Sequence, residues 1–99
     1  MVDLHSEMVD RLFMAILKLE TVDDCYRFFE DVCTVKEIKD MAQRLYIAAL
    51  LDKGMNYQSI AQTVEASSAT ISRVNKCLVY GSGGYRAVLD KMQASEGEK

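Results

Sequence analysis

A short stretch in the second half of the chain combines small polar side chains with cations at helical spacing. Ser67 is a good helix cap, and the residues after it carry small groups first and positive charges later. Small residues at the start of a helix let it enter the DNA major groove and contact base edges, while cations further along can bind phosphates. This pattern predicts a recognition helix for double-stranded DNA. The predicted DNA-binding residues are Gln58, Ser67, Ser68, Ala69, Thr70, Ser72, Arg73 and Lys76.

The stretch from residue 57 to residue 76 has helix-turn-helix spacing, with two short helical patterns around a turn near residues 65–67. Ile60, Val64, Ile71 and Val74 would form the small core between the two helices. Ala61 supplies the small side chain needed where the helices cross closely. Two amphipathic helices joined by a turn also occur as plain structure, so the motif is moderately specific for DNA binding.

Two features keep an alternative open. Glu65 stands at a turn position where many such motifs have glycine, and it must tolerate the bend while facing away from phosphate. The net charge is −3, and residues 1–33 carry eight acidic against three basic residues. Residues 34–80 carry six basic against four acidic residues, so an anion should meet this second half. The alternative is a dimeric effector-sensing or protein-interaction module that does not bind DNA directly.

The elements around this motif are predicted to be helices, because the chain has no proline and no strand-like alternation. Apolar residues recur at helical period, and the pattern from Thr34 to Glu37 is a capping box that opens a long third helix. That helix has an apolar stripe wider than one neighbour would need, and Gly54 ends it. The prediction is one all-α domain over 1–93, with the first helices in 3–53, the helix-turn-helix in 57–80, a C-terminal helix over 85–93 and a polar tail over 94–99.

Several function classes are not expected. No activated nucleophile, no pair of acids at catalytic spacing and no phosphate loop is recognisable, and no neighbouring carboxylate marks His5 as a general base. Cys25, Cys33 and Cys77 form no CxxC pair, so neither a zinc site nor a disulfide framework is indicated, and we expect them to be buried. No stretch resembles a membrane span or a signal peptide. We therefore expect a cytoplasmic protein that is not an enzyme and needs no cofactor.

Four segments together resemble the tryptophan repressor (TrpR) superfamily, most closely its TrpR-related branch of the YerC/YecD type. They are Thr34-Val35-Lys36-Glu37, Met41-Ala42-Gln43-Arg44-Leu45, Leu50-Leu51-Asp52-Lys53-Gly54, and Ile60-Ala61 followed by Ser68-Ala69-Thr70-Ile71-Ser72-Arg73. The resemblance implies a six-helix subunit whose N-terminal helices, the dimerisation helices in 3–53, intertwine with a second copy. Two recognition helices would then meet successive major grooves of a partly palindromic operator. It implies a homodimeric transcriptional regulator, and specifically a repressor.

The resemblance also implies a candidate site for a small, amino-acid-like effector. In the tryptophan repressors a threonine and two arginines surround the corepressor, and Thr34, Arg44 and Arg73 occupy the matching positions. Guanidinium groups suit a carboxylate ligand. The residue after the second arginine is glycine in those repressors and Val74 here, which should crowd the pocket. The alternative is that Arg44 pairs with an acid such as Asp40, Arg73 contacts phosphate and Thr34 only caps a helix.

Overall fold

The computed structural model describes residues 5–97, and this range contains six α-helices and no β-strand. The all-α, six-helix prediction is confirmed. The helices are α1 (Glu7–Ile16), α2 (Val22–Val32), α3 (Val35–Asp52), α4 (Tyr57–Val64), α5 (Ser68–Tyr80) and α6 (Gly84–Gly97). No helix in this described range is long and apolar enough to cross a membrane.

Side-chain caps determine where the first two helices begin. The Ser6 side chain accepts a hydrogen bond from the Val9 backbone N–H at 3.1 Å, so α1 begins at Glu7, later than expected. The predicted start at Asp3 lies outside the described residues. Thr21 caps α2 in the same way, accepting from the backbone N–H of Asp24 at 3.0 Å.

The third helix begins with the predicted capping box. The backbone N–H of Thr34 donates to Oε1 of Glu37 at 2.8 Å, and the Thr34 hydroxyl accepts from the Glu37 backbone N–H at 3.1 Å. The hydrogen bond from the Thr34 backbone lowers the pKa of Glu37 below its ordinary value. Two backbone donors at the start of α3 are thereby satisfied.

Gly54 ends α3, as the sequence predicted. Its φ of +90° is in the left-handed region, which glycine adopts without a Cβ clash. Its N–H donates to the Leu51 carbonyl at 2.9 Å, and the N–H of Met55 donates to the Leu50 carbonyl at 3.1 Å. These two bonds form a Schellman motif, which satisfies the last carbonyls of the helix and releases the chain toward α4.

The chain divides into two compact units, the first extending to Ile38. Neither α1 nor α2 in this first unit contains a buried residue. Large apolar side chains are exposed along both helices: Met8, Leu12, Phe13, Met14, Leu17, Val22, Tyr26 and Val32. The apolar faces that the sequence predicted are therefore present, and they are exposed in the part of the chain that the structure describes.

The second unit, from Lys39 onward, contains the hydrophobic core. The core joins residues of α3, α4, α5 and α6 around the helix-turn-helix formed by α4 and α5. Its buried members are Ile47, Ala48, Leu50, Ile60, Ile71, Val74 and Leu89. The predicted core between α4 and α5 is confirmed for Ile60, Ile71 and Val74, while Ala61 and Val64 are half-buried beside it.

The turn between α4 and α5 is made by a residue in an uncommon backbone conformation. Glu65 follows the last residue of α4 with φ 54° and ψ 40°, the left-handed region. An L-residue with a Cβ is disfavoured in this conformation by about 1–2 kcal/mol. Glycine would adopt it without that penalty, so the glutamate makes the turn at a cost in stability.

The sixth helix is longer than the sequence predicted. It extends through Gly97, so the segment 94–97 is helical and is not part of a polar tail. An ion pair connects the start of α6 to the end of α3, with Nη2 of Arg86 at 2.7 Å from Oδ1 of Asp52. Nε2 of Gln93 donates to Oδ2 of the same carboxylate at 3.0 Å. The hydrogen bond from Arg86 lowers the pKa of Asp52 below its ordinary value of 3.8.

The prediction of buried cysteines is wrong for the single chain. Cys25 and Cys77 are exposed and Cys33 is half-buried. Cys25 lies on α2, which contains no fully buried residue, and Cys77 lies on the exposed side of α5. Helical period alone could not tell a face covered within the chain from one left open.

Replacing Glu65 with glycine should stabilise the protein. We expect Glu65→Gly to raise the free energy of unfolding by about 1 kcal/mol, because relief of the left-handed strain exceeds the added entropy of the unfolded chain. Urea denaturation measures the difference. Glu65→Ala is the control, since it removes the charge but keeps the Cβ. Equal stabilities of the alanine and glycine variants would contradict the backbone explanation.

The Asp52 carboxylate should make stability depend on pH. Because the pKa of Asp52 is lowered in the folded state, its contribution is present above the ordinary value of 3.8 and is lost as the pH falls through the lower, folded-state pKa. We expect Asp52→Asn to lower the urea midpoint at neutral pH, with the difference from wild type shrinking in acid.

The matched control for this measurement is Asp90→Asn. Asp90 is the other carboxylate beside Arg86, at a longer 3.3 Å, and its side chain is more exposed, 58% against 15% for Asp52. We expect a smaller change for this variant. A difference between wild type and Asp52→Asn that does not vary with pH would contradict the role of the charged carboxylate.

Candidate nucleic-acid interface

Packing against α4 determines which face of α5 meets solvent. Ile71 and Val74 are 0% and 1% exposed, and Ile60 of α4 is 0% exposed. Since residues on one side of a helix recur every three or four positions, burying these two turns the opposite side outward. Seven of the eight predicted DNA-binding residues are exposed: Gln58, Ser67, Ser68, Ala69, Ser72, Arg73 and Lys76. Thr70, the eighth, is half-buried.

Two of the predicted DNA-binding residues also build the start of the helix. Oγ of Ser67 accepts from the Thr70 backbone N–H at 3.2 Å, and the two hydroxyl oxygens are hydrogen-bonded to each other at 3.1 Å. This cap fixes the first turn of α5, where Ser68 and Ala69 are exposed. The side chains at the tip of the helix are therefore small and stand on an ordered backbone.

The cations of α5 follow one turn later. Arg73 and Lys76 are both exposed, and neither side chain forms an ion pair with another residue in the described range 5–97. Their positive charges are therefore not neutralised by neighbouring carboxylates. The surface of α5 thus has neutral small groups at its tip and two uncompensated cations behind it, a distribution suited to base edges flanked by phosphates.

A cavity of about 270 Å³ brings together the two arginines of the predicted effector site. Arg44 of α3 and Arg73 of α5 both line it, with Val74, Cys77 and Tyr85. Val74 occupies the predicted place beside Arg73, and it is buried as well. Neither guanidinium forms an ion pair within the described residues, so the suggested pairing of Arg44 with Asp40 is not present.

Thr34, the third predicted effector residue, lies in the first unit, where it caps α3. The cavity of Arg44 and Arg73 lies in the second unit, so the place of Thr34 in an effector site stays a prediction. Cys77 and Tyr85 were not predicted as residues of this cavity. Cys77 could have been found, because it follows Arg73 by four residues on the same helix and so shares its side. Tyr85 comes from α6, and no local pattern indicates it.

A second, larger cavity adjoins the first. Its volume is about 550 Å³, and it shares Cys77 and Tyr85 with the smaller one. It is lined by Leu45, Cys77, Gly81, Ser82, Gly84, Tyr85 and Val88. Most of this lining is apolar, so the cationic end formed by the arginines continues into an apolar groove. No group of side chains suited to hold a metal ion occurs in the part of the chain that the structure describes.

The architecture, with α4 and α5 packed as a helix-turn-helix and α5 presenting a polar, cationic face, is that of a helix-turn-helix protein. The sequence pattern of the Trp repressor protein family matches residues 7–93. The chain belongs to the Trp repressor family, which is a family of DNA-binding regulators.

The similar proteins agree with this assignment. The chain is 45% identical over 95 residues to the uncharacterized protein YerC of Bacillus subtilis strain 168, covering 96% of this chain and 91% of YerC. A TrpR-like protein from Eubacterium eligens ATCC 27750 superposes with a TM-score of 0.88 at 46% identity, covering 91% of this chain and 93% of that one. A Staphylococcus aureus protein provisionally described as a Trp repressor superposes with a TM-score of 0.87 at 46% identity, covering 91% of this chain and 90% of that one.

Proposed function

We propose that the protein is a sequence-specific transcriptional repressor that binds a partly palindromic operator as a homodimer. The observation that carries this proposal is the outward face of α5, where small side chains precede Arg73 and Lys76. Small groups at the tip of the helix permit approach to the base edges, and the two cations can neutralise phosphates on either side. Membership of the Trp repressor family supports the same function.

The apolar faces of α1 and α2 support the dimer. Met8, Phe13 and Leu17 are 79%, 56% and 82% exposed within one chain, an arrangement that is costly in water unless another surface covers it. A second copy is the occupant we propose, because a twofold dimer repeats α5 and so recognises two halves of a palindrome. If an unrelated protein covered these faces, the complex would have only one α5 and could not recognise both halves of a palindrome.

The cavity of Arg44 and Arg73 favours control by a small effector as a second element of the proposal. A carboxylate between the two guanidinium groups would connect α3 to α5 and so affect the orientation of the recognition helix. Buried Val74 narrows the space beside Arg73. We therefore propose an amino-acid-like effector other than tryptophan. Selection of random duplex DNA with and without a pool of amino acids tests this, because enrichment that requires the pool should be lost in Arg44→Ala.

The DNA-binding proposal predicts a strong effect of the α5 cations. We expect Arg73→Ala combined with Lys76→Ala to weaken binding to the selected duplex at least tenfold. The slope of log affinity against log salt should become shallower by about one for each phosphate that is no longer neutralised, because fewer counterions are released. Fluorescence anisotropy over a salt series measures both quantities.

The control for that experiment is Lys91→Ala, which removes an exposed cation from α6 and should leave affinity and slope unchanged. Wild-type binding by the double variant would contradict the assignment of α5 as the recognition helix. If random duplex DNA yields no enriched sequence at low salt with or without amino acids, the protein-interaction alternative replaces the repressor.

The dimer proposal predicts that two glutamate substitutions on α1 differ in effect. Leu12 lies in the middle of the apolar stripe of α1, 38% exposed, and we expect Leu12→Glu to shift the protein to monomer. Arg11 is an exposed cation on the same helix and is not one of its apolar side chains, so Arg11→Glu should leave the dimer intact. Light scattering coupled to size exclusion distinguishes the two states. A monomeric wild type at micromolar concentration would contradict the proposal.

A further inference from the structure

A side-chain hydrogen bond connects α3 to the turn of the helix-turn-helix. Nε2 of Gln43 donates to the backbone carbonyl of Val64 at 3.2 Å, across 21 positions of sequence. Val64 is the last residue of α4, and carbonyls at the end of a helix have no donor partner within that helix. Gln43 therefore supplies a donor from another helix to a group that would otherwise depend on water.

The bond between Gln43 and Val64 lies directly beside the turn between α4 and α5. It ends one residue before Glu65, whose left-handed conformation turns the chain toward α5. Gln43 also precedes Ile47 by four residues on α3, so both lie on the side of the helix that contacts the core, where Ile47 is 0% exposed. The half-buried amide is thereby placed by the same packing that orders the second unit.

Apolar contacts alone define the direction of α5 loosely, since dispersion and hydrophobic contacts are not directional. An eight-residue helix such as α4 is too short to be stable without tertiary contacts. A hydrogen bond at its final carbonyl adds a directional constraint at the point where the chain changes course. A change of backbone angle at this turn would reorient the whole of α5, the helix with the exposed predicted DNA-binding residues.

We propose that Gln43 is a positioning residue for DNA recognition, which fixes the turn to α3 and so determines the angle at which α5 meets the major groove. Gln43 need not contact DNA for this role. The inference rests on the proposed function, and in the homodimer it has a specific consequence. Because each α5 would be oriented by its own Gln43, the two bonds together determine the separation of the recognition helices and thus the preferred spacing of half-sites.

Two substitutions of similar size to glutamine remove the bond. Gln43→Met keeps the length but has no donor, and Gln43→Glu keeps the shape but presents only acceptors to the carbonyl. The probe is the duplex selected by the wild-type protein, together with versions in which one or two base pairs are inserted or removed between the half-sites. We expect both variants to bind the best duplex about 5- to 20-fold more weakly. The ratio of their affinities for the best spacing and for the altered spacings should be at least twofold smaller than in wild type.

The slope of log affinity against log salt should stay as in wild type, because the phosphate contacts remain. The control is Gln93→Met, which also removes a glutamine side-chain bond to α3, the one to Asp52, but does so on α6 and not at the turn. We expect this control to keep the wild-type spacing profile even where its stability falls. A merely structural role for Gln43 would make the two methionine variants alike.

Hydrogen exchange without DNA separates failure of this inference from failure of the proposed function. Amides of residues 65–70 should exchange several-fold faster in Gln43→Met than in Gln93→Met. If they do not, or if wild type binds DNA but Gln43→Met keeps the full spacing profile, the positioning role is overturned. If wild type selects no duplex, the proposed function is overturned, and the positioning role in DNA recognition falls with it.

Discussion

The burial of Ile71 and Val74 of α5 beside Ile60 of α4 is the interaction on which the functional surface depends. These side chains are 0–1% exposed, and their packing decides the rotation of α5 about its own axis. If α5 were rotated about its axis by one residue position, about 100°, Arg73 would turn toward the core and an apolar side chain would turn outward. The identity of the exposed residues is therefore a consequence of an apolar contact that has no chemistry of its own.

Local features of the fold could be predicted because they depend on interactions within a few residues. The capping box at Thr34, the Schellman ending at Gly54 and the cap at Ser67 are each formed by side chains or backbone groups close in sequence. The outward placement of Arg73 and Lys76 followed from helical period. In the same way, the glycine usually found at the turn made Glu65 stand out, and the structure gives it a left-handed backbone.

Interactions between distant segments could not be predicted from one sequence. Nothing near Asp52 in the chain indicates that Arg86 and Gln93 bind its carboxylate, and this interaction accompanies an α6 longer than expected. The contribution of Tyr85 to the arginine cavity and the bond of Gln43 to the turn likewise join segments that are distant in sequence. Helical periodicity predicts which side chains lie on a common face of a helix. It does not predict which other element that face contacts.

The exposed apolar faces of α1 and α2 also affect how the folded state is maintained. Helices of 10 and 11 residues that contain no fully buried residue have little stability alone. In the proposed homodimer, a second copy covering them would contribute to folding itself, so that folding and association would share one equilibrium. By mass action, the melting temperature of such a dimer rises with protein concentration. The amount of protein present would then govern how much of it is folded.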